Sequence, residues 1–145
     1  MSPLPERTAA IFREGFSCSQ AVLAAFAETY GLDRQTALKL GSCFGGGVQA
    51  AEICGAVSGA VMVVGLKDGY ADPKNKEVKF FVQGRAAEFH RLFRERHKHL
   101  RCRDLLGCDI TTPEGRRAAL DGKMFTTQCP VFVASAVEIL EQMGY

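Results

Sequence analysis

The sequence predicts an all-α fold, a compact single-domain helical bundle over residues 1–145. Three observations carry this expectation. Almost every turn signal closes one helix and opens the next; apolar residues recur at helical spacing; and there is no repeat, low-complexity tract or linker. With 47 % of 145 residues hydrophobic, about 68 side chains are available for one core.

The elements follow in order. Ser17 or Ser19 can cap a helix through residues 20–27, which Gly31 would end as a left-handed residue. Asp33 caps the next, expected to run to about Cys43. After Gly45-Gly46-Gly47 comes the most apolar helix, over roughly 51–66, stopped by Lys67-Asp68-Gly69. Being apolar all round, it should lie at the centre. Its Gly55 and Gly59 share a face on which another backbone could approach closely. Asp72-Pro73 reads as N-cap and first residue of a long amphipathic helix carrying Val78, Phe81, Val82, Phe89, Leu92 and Phe93. Leu105-Leu106-Gly107 closes a short turn, Thr112-Pro113-Glu114 starts another helix, and Cys129-Pro130 opens the last, lined by Val133, Val137 and Leu140.

Composition excludes several classes of function. The formal charge is +2, too small for a domain-wide field that attracts nucleic acid. Residues 90–103 hold Arg91, Arg94, Arg96, Lys98, Arg101 and Arg103 against Glu95 alone, and this stretch reads as a solvated helix face. The longest apolar run falls short of the roughly 20 residues that cross a bilayer, so no membrane partner is expected. With no basic start followed by an apolar stretch near the N-terminus, a cytoplasmic protein is expected. In that reducing compartment cysteines are more often ligands or working thiols than staples.

The six cysteines are Cys18, Cys43, Cys54, Cys102, Cys108 and Cys129, and no two form a C-x-x-C. Cys18, Cys54 and Cys129 fall at helix starts, where free N–H groups favour thiolate over thiol. Cys102 lies between Arg101 and Arg103, whose charges act the same way. Cys43 and Cys108 lack this context and read as packing residues, free cysteine often serving as a small buried hydrophobe.

Phe16-Ser17-Cys18-Ser19-Gln20-Ala21-Val22-Leu23, Phe44-Gly45-Gly46-Gly47, Ile53-Cys54-Gly55-Ala56-Val57-Ser58-Gly59-Ala60, Cys102-Arg103-Asp104-Leu105-Leu106-Gly107 and Cys129-Pro130 together resemble the C-GCAxxG-C-C family of small proteins, to which redox activity is attributed. The most specific piece is Cys54-Gly55-Ala56-Val57-Ser58-Gly59, matching a CGAxxG core. The resemblance implies that Cys18, Cys54, Cys102 and Cys129 are the family's four cysteines, with Cys43 and Cys108 extras of this chain. It also makes the triple glycine structural, a hinge turning the Cys54 helix back toward Cys18.

The expectation is therefore a redox site of Cys18, Cys54, Cys102 and Cys129, working by thiol–disulfide exchange or through a cysteine-bound metal. The gaps of 36, 48 and 27 residues between them require the tertiary fold to assemble any centre. Four thiolates suit an iron–sulfur cluster or zinc equally. Haem is not implied, as no CxxCH exists. The lowest thiol pKa is expected at Cys18, Cys129 or Cys102, with Cys54, in the most apolar segment, as a slower partner. The alternatives are a structural zinc module with four thiolates and a helical interaction domain with inert cysteines. His90, His97 and His99 sit among charged residues and read as solvated surface rather than ligands. The redox partner is open, and the glycine-faced central helix suggests a homodimer.

Overall fold

The computed structural model describes residues 2–145, which form nine α-helices and no strand. The order is α1 (Leu4–Arg13), α2 (Cys18–Ala27), α3 (Arg34–Gly41), α4 (Gly55–Asp68), α5 (Lys76–His97), α6 (Cys102–Leu106), α7 (Pro113–Asp121), α8 (Met124–Thr127) and α9 (Cys129–Gln142). The all-α expectation holds.

Capping chemistry sets several boundaries. The Ser17 hydroxyl accepts from Gln20 N while the Gln20 side chain accepts from Ser17 N, a reciprocal capping box that starts α2. A 3₁₀ turn, Glu28–Tyr30, then leads to Gly31 at φ 86°. Asp33 caps α3 through Thr36 N, and Thr112 caps α7 through Gly115 N. Two boundaries depart from expectation. The long helix is capped by Asn75, and Asp72-Pro73 forms the preceding turn, its carboxylate accepting from Lys74 N. The central helix begins at Gly55 rather than near Ala51, because the preceding residues pair with another segment. Helix α1 is not among the expected elements; its N-cap, Pro3, makes no side-chain capping bond.

Helix α4 lies at the centre, as its uniform apolarity predicts, packed on α2, α5 and α9; α1 covers α9. Phe89, Phe93, Ile139, Leu140, Val57 and Val64 are fully buried in one contiguous core. Each such side chain contributes about 1.5–3 kcal/mol by leaving water.

The α2–α4 seam is the tightest, and it is the one that aligns the site. A methyl on Gly59 would stand 2.9 Å from Ser19 O, and one on Gly55 would stand 3.0 Å from Ser19 N and 3.2 Å from Cys18 Cβ. The two glycines therefore admit the backbone of α2, as their spacing predicts. Their face is thereby covered within the chain by α2. Helix α2 is pinned on its other side to α3, where Ser19 Oγ donates to Gly41 O at 2.7 Å and Gln20 Nε2 to Leu38 O at 2.9 Å.

Candidate functional site

Between α3 and α4 the chain makes a left-handed turn. Gly46, Gly47, Val48, Gln49 and Ala51 have φ of 61°, 64°, 60°, 56° and 55°. Left-handed backbone costs a non-glycine residue about 1–2 kcal/mol, and a β-branched valine is a pronounced outlier there. At Gly47 a methyl would lie 2.4 Å from Glu52 N, so only glycine fits. The turn is held from outside. Arg103 donates to Ala51 O at 3.1 Å, to Ala50 O at 3.0 Å and to the Glu52 carboxylate at 3.1 Å, while Gln49 Nε2 donates to Gly45 O at 2.9 Å.

Leaving that turn, residues 52–54 run antiparallel to 100–102. Cys54 N donates to Leu100 O at 2.8 Å and Cys102 N to Glu52 O at 2.7 Å, around an Ile53–Arg101 bridge. This two-bond clasp brings the segment of Cys54 beside that of Cys102 across a gap of 48 residues. Cys54 is the N-cap of α4, while Cys18, Cys102 and Cys129 are the first residues of α2, α6 and α9.

All four sulfur-bearing side chains line one cavity of about 100 Å³. Its other walls are Phe12, Leu105, Leu106, Ile110, Phe125 and Phe132, with backbone from Gly46, Gly47 and Gly55. Ser17 is the only lining residue with an oxygen-bearing side chain, and none is charged. The four cysteines are 5–8 % exposed. The sequence-predicted residues are thus gathered on one wall system, and all six cysteines of the chain are free thiols.

Their acidities diverge. Interaction of the Cys18 thiol with Cys129, then with Cys54, raises its pKa well above the ordinary thiol value, and burial adds to the rise. Cys54 moves down: the neighbouring Cys18 thiol lowers it first, and the Ala56 and Val57 N–H groups at the start of α4 lower it further, together outweighing burial, although no side-chain capping bond forms. Of the two thiols, Cys54 is therefore the one whose ionised form is favoured. Cys102 is pushed up to about 12, first by burial and then by Cys54, Cys129, Cys108 and Asp109.

The expected ranking is reversed at these three positions. Cys54 opens an apolar helix, but as the N-cap residue it precedes the apolar body of α4 and lies beside the free amides of its first turn. Arg101 and Arg103 do not serve Cys102, because their guanidinium groups face Glu52, Asp104 and the carbonyls of the left-handed turn. Sequence reasoning missed Arg103 and Glu52 as positioning residues; a basic residue beside one cysteine and an acidic one near another were the only signals.

Among the described residues no group of three or more His, Cys, Asp or Glu side chains is disposed to hold a metal ion. The four-thiolate geometry expected for zinc or an iron–sulfur cluster does not appear in this arrangement. Cys43 is exposed after α3, so it is not the packing residue expected. Cys108 is half-buried, its thiol 3.9 Å from Met124 Sδ. His90 and His97 are more enclosed than a solvated surface implies. His97 Nε2 lies 2.8 Å from Ser135 Oγ with its ring between Phe93 and Phe132, and burial lowers both histidine pKa values. Neither lines the cavity. Among the described residues no helix is long and apolar enough to cross a membrane.

Comparison with known proteins returns one relationship. No curated protein and no solved structure matches the chain. A family sequence profile, described as "Putative redox-active protein (C_GCAxxG_C_C)", matches residues 16–143, a span that includes all four cavity cysteines. The chain therefore belongs to the C_GCAxxG_C_C family of redox-active proteins.

Proposed function

We propose that the protein is a two-electron dithiol/disulfide couple in which Cys54 is the attacking thiolate and Cys18 the thiol that closes the disulfide. The observation that carries this reading is geometric: Cys18 and Cys54 line the same small apolar cavity, and the Cys18 Cβ stands against Gly55, the residue after Cys54. That neighbourhood raises the Cys18 thiol and lowers Cys54, the amides opening α4 adding to the second effect. A lowered pKa raises the thiolate fraction, and a neighbouring thiol resolves whatever adduct forms on it. Cys129, whose interaction with Cys18 is the largest, and Cys102, whose thiol is raised by burial, complete the cavity wall.

The test is thiolate ultraviolet absorbance against pH on reduced, metal-free protein. One thiolate is expected to titrate below the ordinary value of about 8.5 and to vanish in Cys54→Ser while surviving in Cys43→Ser. Titration of every thiol at or above that value contradicts the assignment of Cys54.

A further inference from the structure

The dimensions and lining of the cysteine cavity bear on what oxidises it. Resting on the dithiol reading, we infer that the oxidant accepted at Cys54 is a small uncharged peroxide, with hydrogen peroxide as the reference member of the class. A cavity of about 100 Å³ is well below the roughly 300–1,000 Å³ of sites that hold drug-sized ligands. Water occupies about 30 Å³ in the liquid, so there is room for about three water-sized molecules, and hydrogen peroxide is scarcely larger than one. Bulky disulfides and bulky hydroperoxides exceed it.

Charge selects in the same direction. No lining residue is ionisable apart from the four cysteines. Moving an isolated ion from water into such walls is heavily unfavourable, so oxidised glutathione, with its carboxylates and ammonium groups, is excluded twice. A protein disulfide is excluded by reach, since Cys54 is 5 % exposed and exchange needs direct approach of sulfur to sulfur.

The chemistry is complete with the groups present. The Cys54 thiolate attacks one peroxide oxygen, an S–O bond forms and the O–O bond breaks. The departing oxygen takes the proton held on Cys18 and leaves as water. The Cys18 thiolate so produced attacks the Cys54 sulfenic sulfur, the S–S bond forms and hydroxide departs. Two sulfurs are each oxidised by one electron, and the two peroxide oxygens are each reduced by one. Cys18 is thus the proton donor in the first step and the nucleophile in the second.

The experiment exposes the reduced full-length protein, under anaerobic conditions, to hydrogen peroxide, cumene hydroperoxide, oxidised glutathione and diamide separately. The Cys18–Cys54 disulfide is followed by non-reducing peptide mass spectrometry. Hydrogen peroxide is expected to form it at least about tenfold faster than cumene hydroperoxide or oxidised glutathione, the discrimination a size-limited apolar pocket gives. In Cys18→Ser, dimedone present as the peroxide-treated protein is unfolded should trap a sulfenic acid on Cys54. Equal or faster reaction with oxidised glutathione or cumene hydroperoxide overturns the peroxide inference and leaves the dithiol reading standing. Failure of all four reagents to link Cys18 to Cys54 overturns the dithiol reading itself.

Discussion

Cys102 and Cys54 occupy similar chain positions, each at the opening of a helix, yet their thiols move in opposite directions. Burial dominates at Cys102, whereas at Cys54 the neighbouring Cys18 thiol and the first-turn amides of α4 overcome it. Stability should record the difference. The unfolded Cys102 thiol ionises near pH 8.5, while the native one stays protonated to about 12, so stability is full below about 8.5 and falls as pH rises toward 12. Cys18, also raised, adds to the same alkaline loss. Allowing for partial solvation, the Cys102 contribution is on the order of 2–3 kcal/mol, and Cys102→Ala should flatten the urea-unfolding profile above pH 8.5. Cys54, lowered, acts in the opposite sense, its stabilisation being lost as pH falls through its native pKa. Cys43→Ser, at an exposed position, should change stability by no more than about 0.5 kcal/mol and leave the thiolate titration as it was. Which cysteine would be most acidic was not legible in the sequence, because it depends on where each sulfur points relative to its helix's free amides.

The α2–α4 seam and the left-handed turn place those sulfurs. Gly59→Ala puts a methyl 2.9 Å from the carbonyl of Ser19, and with backbone on that side the helices must part. A loss of about 1–3 kcal/mol is expected by urea denaturation, together with a rise of the Cys54 pKa as Cys18 moves away. Unchanged stability would mean the seam is looser than these distances imply. Arg103→Ala removes the donors that hold Ala50 O and Ala51 O in the strained turn. It should cost about 1–3 kcal/mol and shift the Cys54 titration toward the ordinary value. Arg103→Lys, lacking the fork of the guanidinium, should restore only part of either effect. The glycine seam was readable from its four-residue spacing and the helix caps from Ser17, Asp33 and Thr112. The turn was not, since nothing local marks Val48 or Gln49 for positive φ; tertiary bonds from a residue more than fifty positions away impose it.

Taken together, the helices form a frame in which four helix openings converge on one small apolar chamber. The sequence pointed to the all-α architecture, the central position of α4 and the four cysteines that share the chamber. The antiparallel clasp joining residues 52–54 to 100–102 could not be read from it, because two isolated ladder bonds leave no periodic trace. That clasp is also what sets Cys54 before the amides of α4 rather than inside a helix running from Ala51. The most direct test of the Cys18–Cys54 couple is non-reducing peptide mapping of the protein after oxidation with hydrogen peroxide and again after re-reduction, with metal content determined on the same anaerobic preparation. The account predicts a metal-free protein in which one disulfide, between Cys18 and Cys54, forms and is reversed by dithiothreitol. A disulfide joining other cysteines, or one stoichiometric metal ion or cluster ligated by the four thiols, would contradict it.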